Sequence, residues 1–73
     1  MDNGYELLTE KEEMWARMLM EALEDNGVPC VAVPVLGAGL VVYTGARERL
    51  KVYVPGEKLE QAKALLEELF AGE

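Results

Sequence analysis

The chain of 73 residues contains no histidine and no serine, and it has a single cysteine, Cys30. The commonest general base and the commonest nucleophile of enzymes are therefore both missing, which argues against catalysis. One cysteine cannot form a disulfide within the chain, and without histidine too few ligands remain for a zinc site. We therefore predict that the protein is not an enzyme and that it uses no metal and no cofactor.

Positive charge is also scarce, because seven Lys and Arg face fourteen Asp and Glu, a formal net charge of −7. This balance argues against binding to nucleic acid or to anionic membranes. No charge occurs between Asp25 and Arg47, but prolines and glycines keep every apolar piece far below the roughly 20 residues of a spanning helix. The start MDNGY has no basic segment and no apolar core, unlike a secretory signal. We expect a soluble cytoplasmic protein with no nucleic-acid or membrane partner.

The length suits one small domain, which we place at residues 5–70, with 1–4 and 71–73 as frayed termini. A domain of this size buries only about 60% of the surface of its unfolded chain, so it needs a further source of stability. Disulfides and metals are unavailable to it, and association is the remaining common source. The sequence therefore predicts a homo-oligomer or a complex with another protein.

The first half of the chain predicts a strand, a helix and a second strand. Tyr5 to Thr9 is the first strand, and Thr9 with Glu12 matches a capping box at the start of a helix. Asn26-Gly27 ends this helix, because glycine readily takes the left-handed conformation of a helix terminus. The helical spacing predicts a buried stripe and leaves Met14 and Met20 as the exposed pair; the stripe consists of Trp15, Met18, Leu19, Ala22 and Leu23.

The second half predicts a hairpin, another strand and a last helix. Val28 to Leu36 is rich in β-branched residues, and Gly37-Ala38-Gly39 is typical of a tight turn. Leu40 to Tyr43 is either a separate strand or an irregular arm of the hairpin. The next strand has an apolar face of Leu50, Val52 and Val54. Pro55-Gly56-Glu57 then begins the last helix, whose apolar stripe consists of Leu59, Ala62, Leu66, Leu69 and Phe70, with Leu65 at its edge.

The order β-α-β-β-β-α predicts an α+β fold with two helices packed on one face of a mainly antiparallel sheet. A helix between two strands implies a right-handed crossover, with those two strands parallel. This arrangement resembles the ferredoxin-like split β-α-β fold without its final strand.

Two segments also resemble a known family. LEDNGVPC, ending at Cys30, and KVYVPGEKLEQAKALLEEL, starting at Lys51, are similar to a bacterial family of small proteins described as signal-transducing and of unknown function. The resemblance extends from Tyr5 to Phe70 and implies a ferredoxin-like fold, related to the PII-like signalling proteins, which are oligomers that bind nucleotides between subunits. It implies no catalytic residue, and the compact middle VPVLGAGLVVYTG lacks the long loop with which PII-like proteins contact partners.

The first candidate site is a row of cations at every second position of a strand: Arg47, Arg49 and Lys51, continued by Tyr53. In a strand this spacing places all four side chains on one face. The row could bind a phosphate or a carboxylate, for which the arginine fork is suited. Alternatively, it is the charged outer side of an edge strand, or it contacts the acidic helices of a neighbouring subunit.

The second candidate site is the uncharged hairpin, which is apolar at successive positions. Cys30 and Ala32 lie on one side of it, and two helices cannot cover both faces of a small sheet. A large apolar face normally marks an interaction site. The predicted interface residues are Val31, Val33, Val35, Val41 and Tyr43.

Together these sites predict a small regulatory or interaction domain that senses a small anionic ligand. The alternative is a purely structural self-association or protein-interaction module with no ligand. Cys30 lies among valines, where a thiol is a small apolar side chain rather than a reactive group.

Overall fold

The structure is a computed structural model, and it describes residues 4–35 and 49–70. The predictions for the Gly37–Gly39 turn, for the strand at Leu40–Tyr43 and for Arg47 lie outside these residues, as do those for 1–3 and 71–73. The elements in chain order are β1 (Tyr5–Glu12), α1 (Glu13–Asp25), β2 (Val31–Pro34), β3 (Arg49–Pro55), a 3-10 helix (Gly56–Lys58) and α2 (Leu59–Leu69).

The described strands form a three-stranded sheet in the order β1-β3-β2, with β3 antiparallel to both neighbours. The two strands joined by α1 therefore run in the same direction, on either side of β3. This confirms an α+β fold with two helices and an antiparallel sheet. The described residues contain three strands instead of the predicted four, because the segment predicted as Leu40–Tyr43 falls outside them.

Both helices pack on one face of this sheet, as predicted. Val52 and Val54 of β3 are fully buried against α1 and α2, and Leu50 packs at the edge of the same cluster. The β-branched side chains suit the pleated surface, and the small residues of the helices let the layers approach closely. The fully buried residues are Ala16, Leu19, Leu23, Val28, Val52, Val54 and Ala62.

The first helix begins later than the sequence predicts, because β1 continues through Glu12. Thr9 pairs with Val52 of β3, and the N-cap of α1 is Glu12, which has no capping side-chain hydrogen bond. The predicted capping box is therefore wrong. Backbone pairing satisfies those N–H and C=O groups of residues 9–12 that point toward β3, and this tertiary pairing overrides a local signal for a helix start.

The buried stripe of α1 is also turned relative to the prediction. Leu19 and Leu23 are buried as expected, but Ala16 lies at the centre of the contact, and Trp15 and Met18 are exposed. The helix backbone approaches the sheet at Ala16, where a large side chain would not fit. Met20, predicted to be exposed, packs against the core instead. Trp15 lies beside α2, where its ring meets Phe70 edge-on with centroids 5.8 Å apart.

The helix ends agree better with the sequence. Gly27 follows α1 with φ +79°, the left-handed conformation that glycine adopts without strain. The Gln61 amide of α2 donates a hydrogen bond of 3.2 Å to the Asn26 carbonyl and so ties the end of α1 to the start of α2. The last helix begins with one 3-10 turn after Pro55 before it becomes α-helical at Leu59.

The second strand begins later than the predicted Val28, because β2 starts at Val31. Val28 lies before the strand and is a buried core residue.

Candidate interaction surface

The face of the sheet opposite the helices carries three parallel columns of side chains, which we call the outer sheet face. Residues that are paired across neighbouring strands point to the same side, so the register defines this surface. Val35 extends the third column, because its N–H donates to the Arg49 carbonyl at 2.9 Å. The columns are Leu7, Glu10 and Glu12 on β1, Tyr53, Lys51 and Arg49 on β3, and Val31, Val33 and Val35 on and just after β2.

A β-bulge in β1 places the acidic column beside the cations. The register shifts between Leu7 and Thr9, so that Leu8 is an extra residue and packs toward the core. Without this extra residue, the alternation from Leu7 onward would turn Glu10 and Glu12 toward the helices. With it, Glu10 lies opposite Lys51 and Glu12 lies opposite Arg49. The bulge thus keeps both carboxylates out of the core.

Arg49 is engaged by this acidic column. Its Nε donates to the Glu10 carboxylate at 2.7 Å, and its Nη2 donates to the Glu10 carbonyl at 3.4 Å. Both side chains are partly exposed, so the pair contributes little to stability. The ion pair neutralises Arg49, one of the cations that the sequence predicts for an anion-binding site.

Of the two described cations of this face, Lys51 is the one that stays available. Glu10 is its register partner, but the carboxylate of Glu10 is turned to Arg49. Within residues 4–35 and 49–70, no carboxylate forms a salt bridge with the Lys51 ammonium group. Tyr53 follows Lys51 on the same face and is half-buried. Any anion at this face would therefore meet Lys51 first and would compete with Glu10 for Arg49.

The rest of the outer sheet face is apolar and exposed. Leu7, Tyr53 and Val31 form one row across all three strands, and Val33 and Val35 continue along the β2 column. Leu7 is 50% exposed and Val31 is 48% exposed. Exposed apolar side chains that adjoin one another, rather than being scattered singly, are typical of an interaction surface.

The two sites proposed from the sequence are thus one surface. Arg49, Lys51 and Tyr53 lie next to Val31, Val33 and Val35 in the register, whereas Arg47, Val41 and Tyr43 lie outside the described residues. The sequence places Leu7 in the first strand without a role and Glu10 and Glu12 in a helix start, so these three residues of the surface are missed. The alternation Glu10-Lys11-Glu12 was the available signal, because it complements the alternation of cations from Arg49 to Lys51 in a paired strand.

Cys30 lies on the helix side of the sheet, packed against the core cluster. Burial raises the pKa of its thiol, and the carboxylate of Glu24 adds to this rise. Its Sγ lies 3.9 Å from the Met20 carbonyl, to which the thiol can donate weakly. The described part of the chain contains no cluster of three or more residues able to hold a metal ion.

Neither helix in the described residues has the length and apolar character needed to cross a membrane. Comparisons of the chain with protein-family models, with curated proteins and with solved structures give no match. The resemblance to the bacterial signal-transducing family therefore stays a prediction from the sequence.

Proposed function

We propose that the protein is a small interaction domain that associates through its outer sheet face, with a second copy of the chain as its first partner. The observation that carries this proposal is the exposed apolar surface formed by Leu7, Val31, Val33 and Val35, on the side of the sheet that the helices leave uncovered. Burial of this surface would supply the stability that a small core lacks. The expectations that the protein is not an enzyme and that it is cytoplasmic both stay predictions.

The charges of the outer sheet face support a second copy as the partner. Glu10 and Glu12 balance Arg49 and Lys51, so this face is neutral in a chain whose net charge is −7. Two acidic molecules repel each other least through neutral faces. The acidic and basic columns lie side by side, and a two-fold axis can place the acidic column of one copy against the basic column of the other.

The ferredoxin-like arrangement belongs to the same proposal. Support for it comes from β1 and β2, which run in the same direction on either side of β3 and are connected by α1. A sheet with helices on one side leaves its other side free for pairing with a further sheet or helix.

The test is the oligomeric state of wild type and of two matched variants in analytical ultracentrifugation. Val33→Glu places a charge in the apolar part of the outer sheet face. Residue 33 lies opposite Lys51, whose ammonium group can pair with the new carboxylate in the folded monomer. Met14→Glu makes a similar change on the exposed side of α1, where Met14 is 55% exposed. We expect wild type and Met14→Glu to associate and Val33→Glu to be a folded monomer.

A wild type that stays monomeric over the whole concentration range would contradict self-association. Association of Val33→Glu with the affinity of wild type would move the interface away from the outer sheet face. Circular dichroism of each variant confirms that the fold is intact.

The position of Lys51 favours anion sensing as a second candidate function. Its ammonium group lies on the outer sheet face without a carboxylate partner among the described residues, next to Arg49. Glu10→Gln would release Arg49 and should strengthen stabilisation by pyrophosphate in a thermal-shift assay, whereas Lys51→Gln should abolish it. Equal responses of wild type and both variants would exclude this face as the anion site.

A further inference from the structure

The exposed side of α1 carries large apolar side chains that the fold leaves about half uncovered. Met14 is 55% exposed, Met18 is 47% exposed and Trp15 is 43% exposed. Met14 and Met18 are four residues apart, and Trp15 precedes Met18 by three, so the three side chains adjoin on one side of the helix. We call them the methionine–tryptophan surface; it lies on the helix layer, away from the outer sheet face.

The aromatic part of this surface packs against a neighbouring ring. The Trp15 ring meets Phe70 at an interplanar angle of 70°, which joins the start of α1 to the end of α2. The Lys11 ammonium lies 4.3 Å from the centroid of the Phe70 ring. The indole therefore packs against Phe70 on one side and is exposed on the other, whereas Met14 and Met18 have flexible, polarisable side chains that adapt to an incoming apolar group.

Charge is distributed unequally between the two layers of the fold. The three described strands carry three carboxylates and three cations, so this part of the sheet is neutral. The two helices carry seven carboxylates against Arg17 and Lys63, a net −5. Arg17 is already paired with Glu13, whose carboxylate lies 2.6 Å from its Nη2. The negative potential of the protein is therefore concentrated on the layer that holds the methionine–tryptophan surface.

Apolar and acidic groups are also separated along one row of α1. Met14, Met18, Glu21 and Asp25 lie at positions i, i+4, i+7 and i+11 and are all exposed, so they form one row along the helix. The first half of this row is apolar and the second half is acidic. A partner complementary to the row would present apolar side chains followed by cations.

We propose that the methionine–tryptophan surface is a docking site for a cationic amphipathic helix of another protein. The partner would place its apolar face on Met14, Trp15 and Met18 and its Lys or Arg side chains toward Glu21 and Asp25. This is the binding mode in which one helix lays its apolar side on a hydrophobic surface. Electrostatic attraction to the net charge of −5 on the helices would accelerate the encounter and select basic over acidic partners.

The experiment uses the full chain and a designed peptide of about 15 residues with a leucine face and a lysine face, long enough to form a helix on binding. Trp15 is the single tryptophan of the chain, so its fluorescence reports directly on this surface. We expect a saturable blue shift of its emission with the peptide. A scrambled peptide of the same composition, which has no apolar face, should produce a much weaker shift.

Three variants locate the binding site. Met14→Gln/Met18→Gln removes apolar contact without changing charge and should weaken binding about tenfold, as expected for loss of central apolar anchors. Glu21→Gln/Asp25→Asn should weaken binding and reduce its dependence on salt. The matched control Leu7→Gln, on the outer sheet face, should bind the peptide as wild type does.

Other results would overturn the proposal. Binding that is lost in Leu7→Gln and kept in Met14→Gln/Met18→Gln would place the peptide on the sheet. Equal binding of the scrambled peptide would mean that charge alone attracts it. A blue shift of Trp15 that develops with protein concentration, in the absence of peptide, would assign the surface to a second copy. These results are independent of whether the outer sheet face self-associates, because that face is tested by Val33→Glu.

Discussion

Cys30 shows how burial decides the chemistry of a single residue. The thiol packs on the helix side of the sheet, and desolvation of its thiolate raises its pKa, with a further contribution from Glu24. The nucleophilic form is therefore rarer in the folded protein than in the unfolded chain. A raised pKa also means that folding favours the protonated thiol. The stability that the protonated Cys30 thiol contributes is fully present below the ordinary pKa of cysteine, and it is lost as the pH rises through the raised pKa.

We expect iodoacetamide to modify Cys30 several times more slowly in the folded protein than in urea at the same pH, because the thiolate fraction is smaller and access is restricted. Glu24→Gln should increase the rate in the folded protein by removing a nearby negative charge. Glu21→Gln, which removes the same charge elsewhere on α1, is the control. Modification at equal rates in the folded and unfolded states would contradict a depleted thiolate. Mass spectrometry at timed intervals measures both rates.

At the same scale, the sequence predicts that α1 has an apolar stripe, but it does not always predict which of the apolar residues face the sheet. Leu19 and Leu23 were placed in the core correctly, whereas Trp15 and Met18 were placed there because of their size and spacing. Ala16, a small residue that a hydrophobicity pattern weights lightly, occupies the centre of the contact instead. Which residue meets the sheet depends on how closely the helix approaches it, and that distance is not encoded in the period of the pattern.

At the scale of elements, the boundary between β1 and α1 was the main error. The segment Thr9 to Glu12 has the residues of a helix start, and the acidic side chains of Glu10 and Glu12 suit the positive end of a helix dipole. It forms a strand because β3 offers backbone partners and complementary charges. Prediction of this outcome, and of the bulge at Leu8, requires the register between strands that are about 40 residues apart along the chain.

The position of Thr9 in a strand, instead of at a helix cap, can be tested by substitution. Its side chain lies on the helix side of a strand, opposite Val52, and does not cap α1. Thr9→Val should therefore change the free energy of unfolding by no more than about 0.5 kcal/mol, whereas loss of a capping hydroxyl would cost about 1 kcal/mol. Urea denaturation measures the difference.

The sensitivity of this measurement is checked with Gly27→Ala. An alanine at φ +79° is strained even though its Cβ would meet no atom within 4 Å, and we expect a loss of about 1 kcal/mol. A loss of about 1 kcal/mol in Thr9→Val would mean that the Thr9 hydroxyl caps α1 after all. In the structure, no side-chain hydrogen bond caps the start of this helix.

At the scale of the whole molecule, the composition predicts a net charge of −7 but not its distribution. The helices hold most of the negative charge because of the residues they contain. The bulge in β1 turns Glu10 and Glu12 to the outer sheet face, beside Lys51 and Arg49, and so makes that face neutral. The sequence also predicted an uncovered apolar face, and Val31 and Val33 lie on it. It treated the cations and the valines as separate sites, because only the pairing of β2 with β3 makes them neighbours.

If two copies bury their outer sheet faces, the thermal stability of the protein depends on its concentration. Association stabilises the folded state by mass action, and each tenfold increase in concentration above the dissociation constant should raise the Tm by about 3 °C in a domain of this size. Val33→Glu should have a lower Tm that does not change with concentration. A Tm of wild type that is constant over two decades of concentration would contradict an associating native state. Differential scanning calorimetry provides the series.

The two proposed surfaces should respond to salt in opposite directions, because they lie on layers of different charge. Two acidic copies repel each other, so an increase in ionic strength screens the repulsion and should strengthen self-association through the neutral outer sheet face. A cationic helix is attracted by the net charge of −5 on the helices, so the same increase should weaken its binding at Met14 and Met18. Ultracentrifugation and Trp15 fluorescence at low and high ionic strength measure both dependences on one preparation. Self-association that weakens with ionic strength would mean that attraction between the acidic and basic columns outweighs the repulsion between the two net charges.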